Sequence, residues 1–435
     1  MTHRRRVPGV VALRYVMPLG LVLALSGCGA IPWLGGDKDP TPPTKLTELV
    51  SEASLDVLWS ERATKGTKGR RLYLVPALGT GRAFVADANG LIVAVDADTG
   101  RVLWSRETDL PFSAGPDLEG DRLVLGTASG LAVALSATDG RELWRAQLSG
   151  EVLSVPRYSG NGQVIVHTQD DTIVGLDAAK GNEVWRATYP APVLTLRGSS
   201  TPTVVPGGVL IGLAGGKLVK LDPADGTPLW EVTITAPRGR SELSRIADVD
   251  AEPVVVGSLV FVGTYNGDLA AVDINTGAVQ WRRQLSSHAG LAADTGDLFV
   301  TDSDDRVWAA DPAGGAGRWR QDRLKFRQLT APVLIGNAIA VGDLDGWLHL
   351  IAQDDGRLLA RTRIAKSPIV ARPQVAGGRI FVYANDGTLA AVSVGPAPGG
   401  ARAVSNQRAE AADRAAIPTD ASDAVSRSPA ATSAP

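Results

Sequence analysis

From about residue 51 to residue 395 the chain alternates short apolar runs with polar turns, and no stretch shows the apolar spacing of a helix. Runs such as Ala83-Phe-Val-Ala86 and Leu259-Val-Phe-Val262 have the length of buried strands. Each is followed by a turn: Asn89-Gly90, Ser129-Gly130, Gly215-Gly216, Asn266-Gly267, Asp345-Gly346 or Asp386-Gly387. Asn-Gly and Asp-Gly supply the positive φ angles that a tight hairpin needs. A second run follows, as in Leu91-Ile-Val-Ala-Val95 or Leu269-Ala-Ala-Val272. An Asp-x-x-x-Gly turn then leads to a short strand ending in Trp. The next unit begins after a connector that often carries Pro, as at Val155-Pro156, Thr201-Pro202, Glu252-Pro253, Ala331-Pro332 and Arg372-Pro373.

This unit recurs. Ala94-Val-Asp96-Ala-Asp-Thr99-Gly100-Arg-Val-Leu-Trp104 and Ala271-Val-Asp273-Ile-Asn-Thr276-Gly277-Ala-Val-Gln-Trp281 are nearly one string, and looser copies end at Trp144, Trp185 and Trp230. Four short antiparallel strands per repeat cannot bury both faces of their sheet alone, so the repeats are expected to pack radially as propeller blades. Trp is large enough to cover the gap between blades. The blade-ending positions are Trp59, Trp104, Trp144, Trp185, Trp230, Trp281, Trp319 and Ala360, where Trp is replaced. The last repeat, Gly377 to Val394, lacks a terminal strand, and the strand at Leu55–Trp59 lacks the three before it. The fragments are complementary. The chain is therefore expected to be all-β, an eight-bladed propeller of four-stranded antiparallel blades over 51–395, closed by pairing of the N-terminal strand with the C-terminal blade. Each blade averages about 43 residues, an ordinary propeller repeat. A β-sandwich would explain neither the shared motif nor the matching fragments.

The ends of the chain differ in composition. His3-Arg-Arg-Arg6 followed by the apolar Tyr15–Leu25 reads as a secretion signal over 1–27. Leu25-Ser26-Gly27-Cys28 resembles the bacterial lipobox, in which the Cys is acylated and becomes the new N-terminus, and Cys28 is the only cysteine in the chain. Gly29 rather than Asp after it implies sorting to the outer membrane, and two or three acyl chains make a stable anchor. Residues 28–50 are expected to be a lipidated flexible tether, with Pro40-Thr-Pro-Pro43 within it. The tail 396–435 is rich in Ala, Ser, Pro and Arg and too poor in large apolar residues to fold alone.

Loss of 1–27 removes four Arg and no acid, leaving a net charge of −6 (40 − 46) and no basic patch for a nucleic acid. Arg323, Lys325 and Arg327 around Phe326 read as a solvated loop. The repeat motif itself resembles that of quinoprotein alcohol dehydrogenases, eight-bladed propellers that hold pyrroloquinoline quinone over calcium. That resemblance implies adjacent cysteines, a calcium site and a catalytic Asp. No cysteine remains beyond Cys28, and Thr301-Asp-Ser-Asp-Asp305 and Gly342-Asp-Leu-Asp-Gly346 sit where inter-strand turns fall, without calcium-loop spacing. His167, His288 and His349 show no metal spacing. The expectation is a protein that is not an enzyme and has no cofactor or metal, with the quinoprotein dehydrogenase as the alternative.

The period is stretched over two consecutive gaps. Blade ends are spaced 45, 40, 41, 45, 51, 38 and 41 residues apart, and the longest gap carries Thr235–Asp250, charged with both signs. The preceding long gap carries Ala191-Pro-Val-Leu-Thr-Leu-Arg-Gly-Ser-Ser200. Insertions in a repeat scaffold become loops, and loops on a rigid scaffold commonly bind. Leu194-Thr-Leu-Arg-Gly-Ser-Ser-Thr-Pro-Thr203, Arg245-Ile-Ala-Asp-Val-Asp250, Pro253-Val-Val-Val256 and Tyr265-Asn-Gly267 resemble the BamB family of outer-membrane assembly lipoproteins, from about residue 28 to 395. In that family the two segments contact the POTRA region of BamA, the β-barrel insertase. Carried over, the resemblance implies BamA contacts at Leu194, Leu196, Arg197, Asp248 and Asp250. It also implies the other BAM-complex lipoproteins as partners and unfolded outer-membrane proteins as clients. The expected place is the periplasmic face of a Gram-negative outer membrane. The long tail departs from the family pattern.

Overall fold

Eight β-sheets account for almost all regular structure in residues 41–397, the part of the chain described by the computed structural model. The signal segment, Cys28, most of the tether and nearly all of the tail lie outside these residues. Blade 1 is Ala77–Gly79, Arg82–Ala86, Leu91–Asp96 and Val102–Glu107, paired antiparallel in that order. Blades 2 to 7 repeat the order, starting at Phe112–Glu119, Arg157–Tyr158, Thr203–Val205, Val254–Val256, Gly290–Ala293 and Val333–Ile335. Blade 8 has only three strands from its own stretch: Gln374–Ala376, Arg379–Tyr383 and Thr388–Pro396. Its fourth strand is Ala53–Arg62, in register from Ala53 opposite Pro396 to Arg62 opposite Thr388. The expected eight-bladed closure is thus observed. Tyr73–Leu74 adds one short parallel strand to the inner edge of blade 2.

The middle strands of each blade are apolar on both faces because a blade is packed between two neighbours. Ala83–Val85, Leu123–Leu125 and Val260–Phe261 are fully buried. The outer strands alternate, as in Val279–Gln284, because one face meets solvent.

Blade-to-blade contact is made by the motif itself. Each of the seven motif tryptophans lies on the turn glycine of the following blade, in a turn that opens with Asp in five cases, with Ser136 under Trp104 and with Ala352 under Trp319. Trp59, Trp104, Trp144, Trp185, Trp230, Trp281 and Trp319 donate their indole N–H to backbone carbonyls there at 2.7–3.1 Å. The turn glycine must be Gly on two counts. In blade 3, Gly181 has φ +75°, and a Cβ would stand 2.5 Å from the ring of Trp144. The opening Asp fastens the turn: Asp96 accepts from the Asp98 and Thr99 amides and from the Thr99 hydroxyl at 2.8–3.1 Å. These bonds, that of the Thr99 hydroxyl first, hold its carboxyl below the usual range.

Ala360 is the exception, and the ring closure explains it. Blade 8 takes its last strand from the other end of the chain, so it has no turn between its third and fourth strands. A Trp at 360 would have no glycine to lie on. The place is filled by chain entering the closing strand: the Glu52 amide donates to the Leu359 carbonyl at 2.8 Å, and Leu55 packs in one apolar cluster with Ala360.

The segment before that strand, read from sequence as the end of the tether, runs along blades 6 and 7. The Thr44 amide donates to the Lys325 carbonyl at 3.0 Å, and Leu46 and Leu49 pack against the cluster containing Phe299, Leu324 and Ile339. The basic cluster expected to be solvated is what holds it. Arg327 is buried, bonded to Asp343 and Asp345 and to the Thr44 carbonyl, while Arg323 and Arg361 bond Thr47. The one helical element among the described residues is the turn Glu242–Arg245 inside the long insertion, capped by Ser241. No helix among them is long and apolar enough to cross a membrane.

Candidate partner-docking loop and central cavity

In every blade the first strand runs away from one face of the ring and the second returns to it. The connectors between blades and the turns between second and third strands therefore share that face. Both insertions fall on it, and the structure brings them into contact.

Asp248 joins them. It is buried, and its carboxylate accepts from the Leu196 amide at 2.7 Å and the Gly215 amide at 3.0 Å. Burial raises its pKa against the pull of those two bonds, with Asp171 adding to the rise. Gln169 reaches the Leu196 carbonyl at 2.9 Å from the other side. His167 is buried and bridges the Ser200 carbonyl at 3.0 Å and Asp171 at 3.1 Å. The loop 194–200 is thus fixed at several points along its backbone. Its first half faces outward, with Leu194 42% exposed and Val193 just before it 94%, while Ser199 and Ser200 are buried. Arg197 is exposed and pairs with Glu151 at 2.8 Å.

Of the five side chains expected to contact a partner, three lie on the outer surface of this loop: Leu194 and Arg197 exposed, Leu196 half-buried. Asp248 does not present its carboxylate; the unpaired backbone N–H groups of the loop have claimed it. Asp250 is turned toward the axis of the ring, where burial first, then the neighbouring Asp248, pushes its pKa up to about 7. Gln169, His167 and Glu151, which complete the arrangement, carry no motif and lie a blade away in sequence.

The axis is hollow. First strands and connectors from around the ring line a cavity of about 680 Å³, within the range of small-ligand sites. Its charged groups come from distant repeats. Arg157 bonds Asp117 at 2.9 Å and Glu252 at 3.1 Å, and Arg372 approaches Glu252 at 3.7 Å. Leu196 and Arg197 belong to both the docking loop and the cavity wall.

Neither acidic turn weighed as a calcium loop is free for an ion. Asp302 accepts from the Asp304 and Arg306 amides, and Asp343 from those of Asp345 and Trp347, as turn-capping acids do. Asp343 also binds His349 at 2.9 Å and Arg327 at 2.8 Å. Among the described residues no group of three or more His, Cys, Asp or Glu is placed to hold a metal. These residues do not fit a quinone seated over calcium.

The family model described as outer membrane protein assembly factor BamB matches residues 48–113, 88–321 and 311–426. The outer membrane protein assembly factor BamB of Alkalilimnicola ehrlichii is 40% identical over 87% of this chain and 96% of its own length. The chain belongs to the BamB family. Among solved structures, BamB from Moraxella catarrhalis superposes with a TM-score of 0.72 at 28% identity, covering 78% of this chain and all of that one. The quinohemoprotein alcohol dehydrogenase of Comamonas testosteroni superposes with a TM-score of 0.63 at 15% identity over 78% of this chain and 76% of its own, a likeness of fold.

Proposed function

We propose that this protein is a non-catalytic scaffold of outer-membrane protein assembly, anchored by lipid on Cys28 at the periplasmic face of the outer membrane. It docks on the POTRA region of BamA and helps position it, alongside the other lipoproteins of the machinery, while unfolded barrel proteins are inserted. The observation that carries the docking surface is the loop 194–200. It is held in one shape by Asp248, Gln169 and His167, yet leaves Leu194 and Arg197 on its outer surface. A loop ordered before binding loses little conformational entropy when it docks. An apolar anchor beside an Arg is a common composition for the centre of an interface. Asp248 and Asp250 serve this surface from beneath rather than as contacts.

Family membership supports the role in outer-membrane protein assembly. The test is co-purification with BamA. Leu194→Ala combined with Arg197→Ala is expected to lower recovery of BamA about ten-fold or more, with the melting temperature within about 2 °C of the parent, since both side chains are exposed. Undiminished recovery would remove this surface from consideration.

A further inference from the structure

The cavity lining carries four guanidinium groups, Arg71, Arg157, Arg197 and Arg372, against three carboxyl groups, Asp117, Asp250 and Glu252. Asp117 and Glu252 are both bound by Arg157. Arg372 is left with a single contact to Glu252 at 3.7 Å, too long for a hydrogen bond. Burial, and behind it the like charge of Arg157, lowers its pKa despite Glu252. Arg71, at the mouth, has no hydrogen-bonding or ion-pair partner among the described residues. Three groups stand within reach of its charge: His288, Tyr73 and Asp305, whose carboxylate already accepts from the Gln328 and Leu329 amides. His288 has its pKa lowered by burial first and by Arg71 second, so its ring is neutral at pH 7. Its Nδ1 is buried with no hydrogen-bond partner, in a structure where buried polar atoms are otherwise mostly satisfied. Tyr73, raised to about 12 by burial first and Asp250 second, keeps its hydroxyl proton and can donate it. Behind these groups the wall is partly apolar, with Val75, Leu291, Leu329 and Val370.

We propose that the cavity binds a carboxylate carried on an apolar group. The carboxylate meets Arg71, His288 and Tyr73 at the mouth, and the apolar part lies in the hollow behind. A free guanidinium presents a fork of N–H donors matched to the two oxygens of a carboxylate. A neutral imidazole nitrogen and a phenol add the remaining donors. Arg372 contributes positive potential from deeper in the hollow. The carboxylate has two possible sources: a free small acid, or an acidic side chain of the docked partner, since Leu196 and Arg197 frame the same mouth. Only the second source rests on the docking role proposed above.

The test uses the full chain, 4-phenylbutyrate and its neutral amide, 4-phenylbutanamide, with binding followed by saturation-transfer NMR and calorimetry. The acid is expected to bind saturably and about ten-fold more tightly than the amide. Arg71→Gln is expected to remove about ten-fold of the acid's affinity and none of the amide's, with an unchanged melting curve because Arg71 is exposed. Equal binding of acid and amide, no saturable binding of the acid below about 10 mM, or an Arg71→Gln variant that binds like the parent would each overturn the site. Co-purification of Arg71→Gln with BamA separates the sources: retained recovery points to a free acid, and lost recovery to a carboxylate of the partner. Should the Leu194 and Arg197 variant leave docking untouched, the NMR titration still decides the cavity on its own.

Discussion

The pairing of one Trp with one Gly, repeated seven times, carries the contact between blades. Trp144 is 7% exposed, donates its indole N–H across the gap and covers Gly181. Trp144→Ala is expected to destabilise the fold by about 3–5 kcal/mol, the usual cost of emptying a large aromatic site. Ala360 gives the opposite case. It occupies the same position, 2% exposed, but faces no turn. Ala360→Trp restores the motif in sequence and is expected to destabilise by about 1–3 kcal/mol through overpacking against Leu55 and the entering chain. Thermal and urea unfolding of the two variants check both signs. A gain in stability at 360 would contradict the explanation given for the missing Trp.

Asp250 carries a pH dependence at the same scale. Its pKa is raised to about 7 in the fold, so the fold favours its neutral form. The stability tied to that form is fully present below the unfolded carboxyl value near 4 and is lost progressively as pH rises to about 7. Asp250→Asn should therefore gain stability over the parent across that interval, by about 1 kcal/mol or more at pH 8, and keep a constant advantage above it. Comparing the variant with the parent at each pH separates Asp250 from the ionisable neighbours Asp248, Asp171 and His167, which both proteins keep. A difference independent of pH would show that Asp250 is ionised throughout.

At the scale of elements, two insertions from consecutive repeats act as one unit because each supplies what the other lacks. The 191–200 connector has backbone N–H groups and no ladder to join. The 235–250 connector, with only the helical turn Glu242–Arg245 for regular structure, supplies the carboxylate of Asp248. Asp248→Ala leaves the Leu196 and Gly215 amides unpaired and is expected to cost about 1–3 kcal/mol. The more specific outcome is local. Amide hydrogen exchange should speed up at 194–200 and 215 and stay unchanged in the middle strands of distant blades such as 7. The N-terminal connection obeys the same rule. Residues 44–49 lack strand partners, and blades 6 and 7 supply them through Arg323, Arg327 and Arg361 together with an apolar seat for Leu46 and Leu49.

At the scale of the molecule, closure is the decisive contact. Strand Ala53–Arg62 pairs along its length with Thr388–Pro396, although the two are more than 300 residues apart in sequence. Deleting 53–62 would expose an unpaired edge and the apolar face of blade 8, and such edges aggregate. The truncated chain is expected to elute as aggregate in size-exclusion chromatography, and adding the missing strand as a separate peptide to improve the monomer yield. A monomeric, fully folded truncated form would mean that the ring does not depend on this strand.

The sequence by itself determined the repeat, the blade count and the closure, because strand period, turn chemistry and the Trp-to-Gly spacing are local properties written residue by residue. It also marked the insertions, since a break in a period is visible along the chain. Only the tertiary structure decided what the residues inside those insertions do. Asp248 reads in sequence like any surface acid, and it became a buried latch because folding left amide groups beside it without partners. Arg327 similarly left an expected solvated loop to hold the N-terminal segment. The cavity was the least legible feature. Arg71, Arg157, Glu252, His288 and Arg372 are each unremarked within their own repeat, and they meet because a closed ring brings the first strand of every blade to one axis.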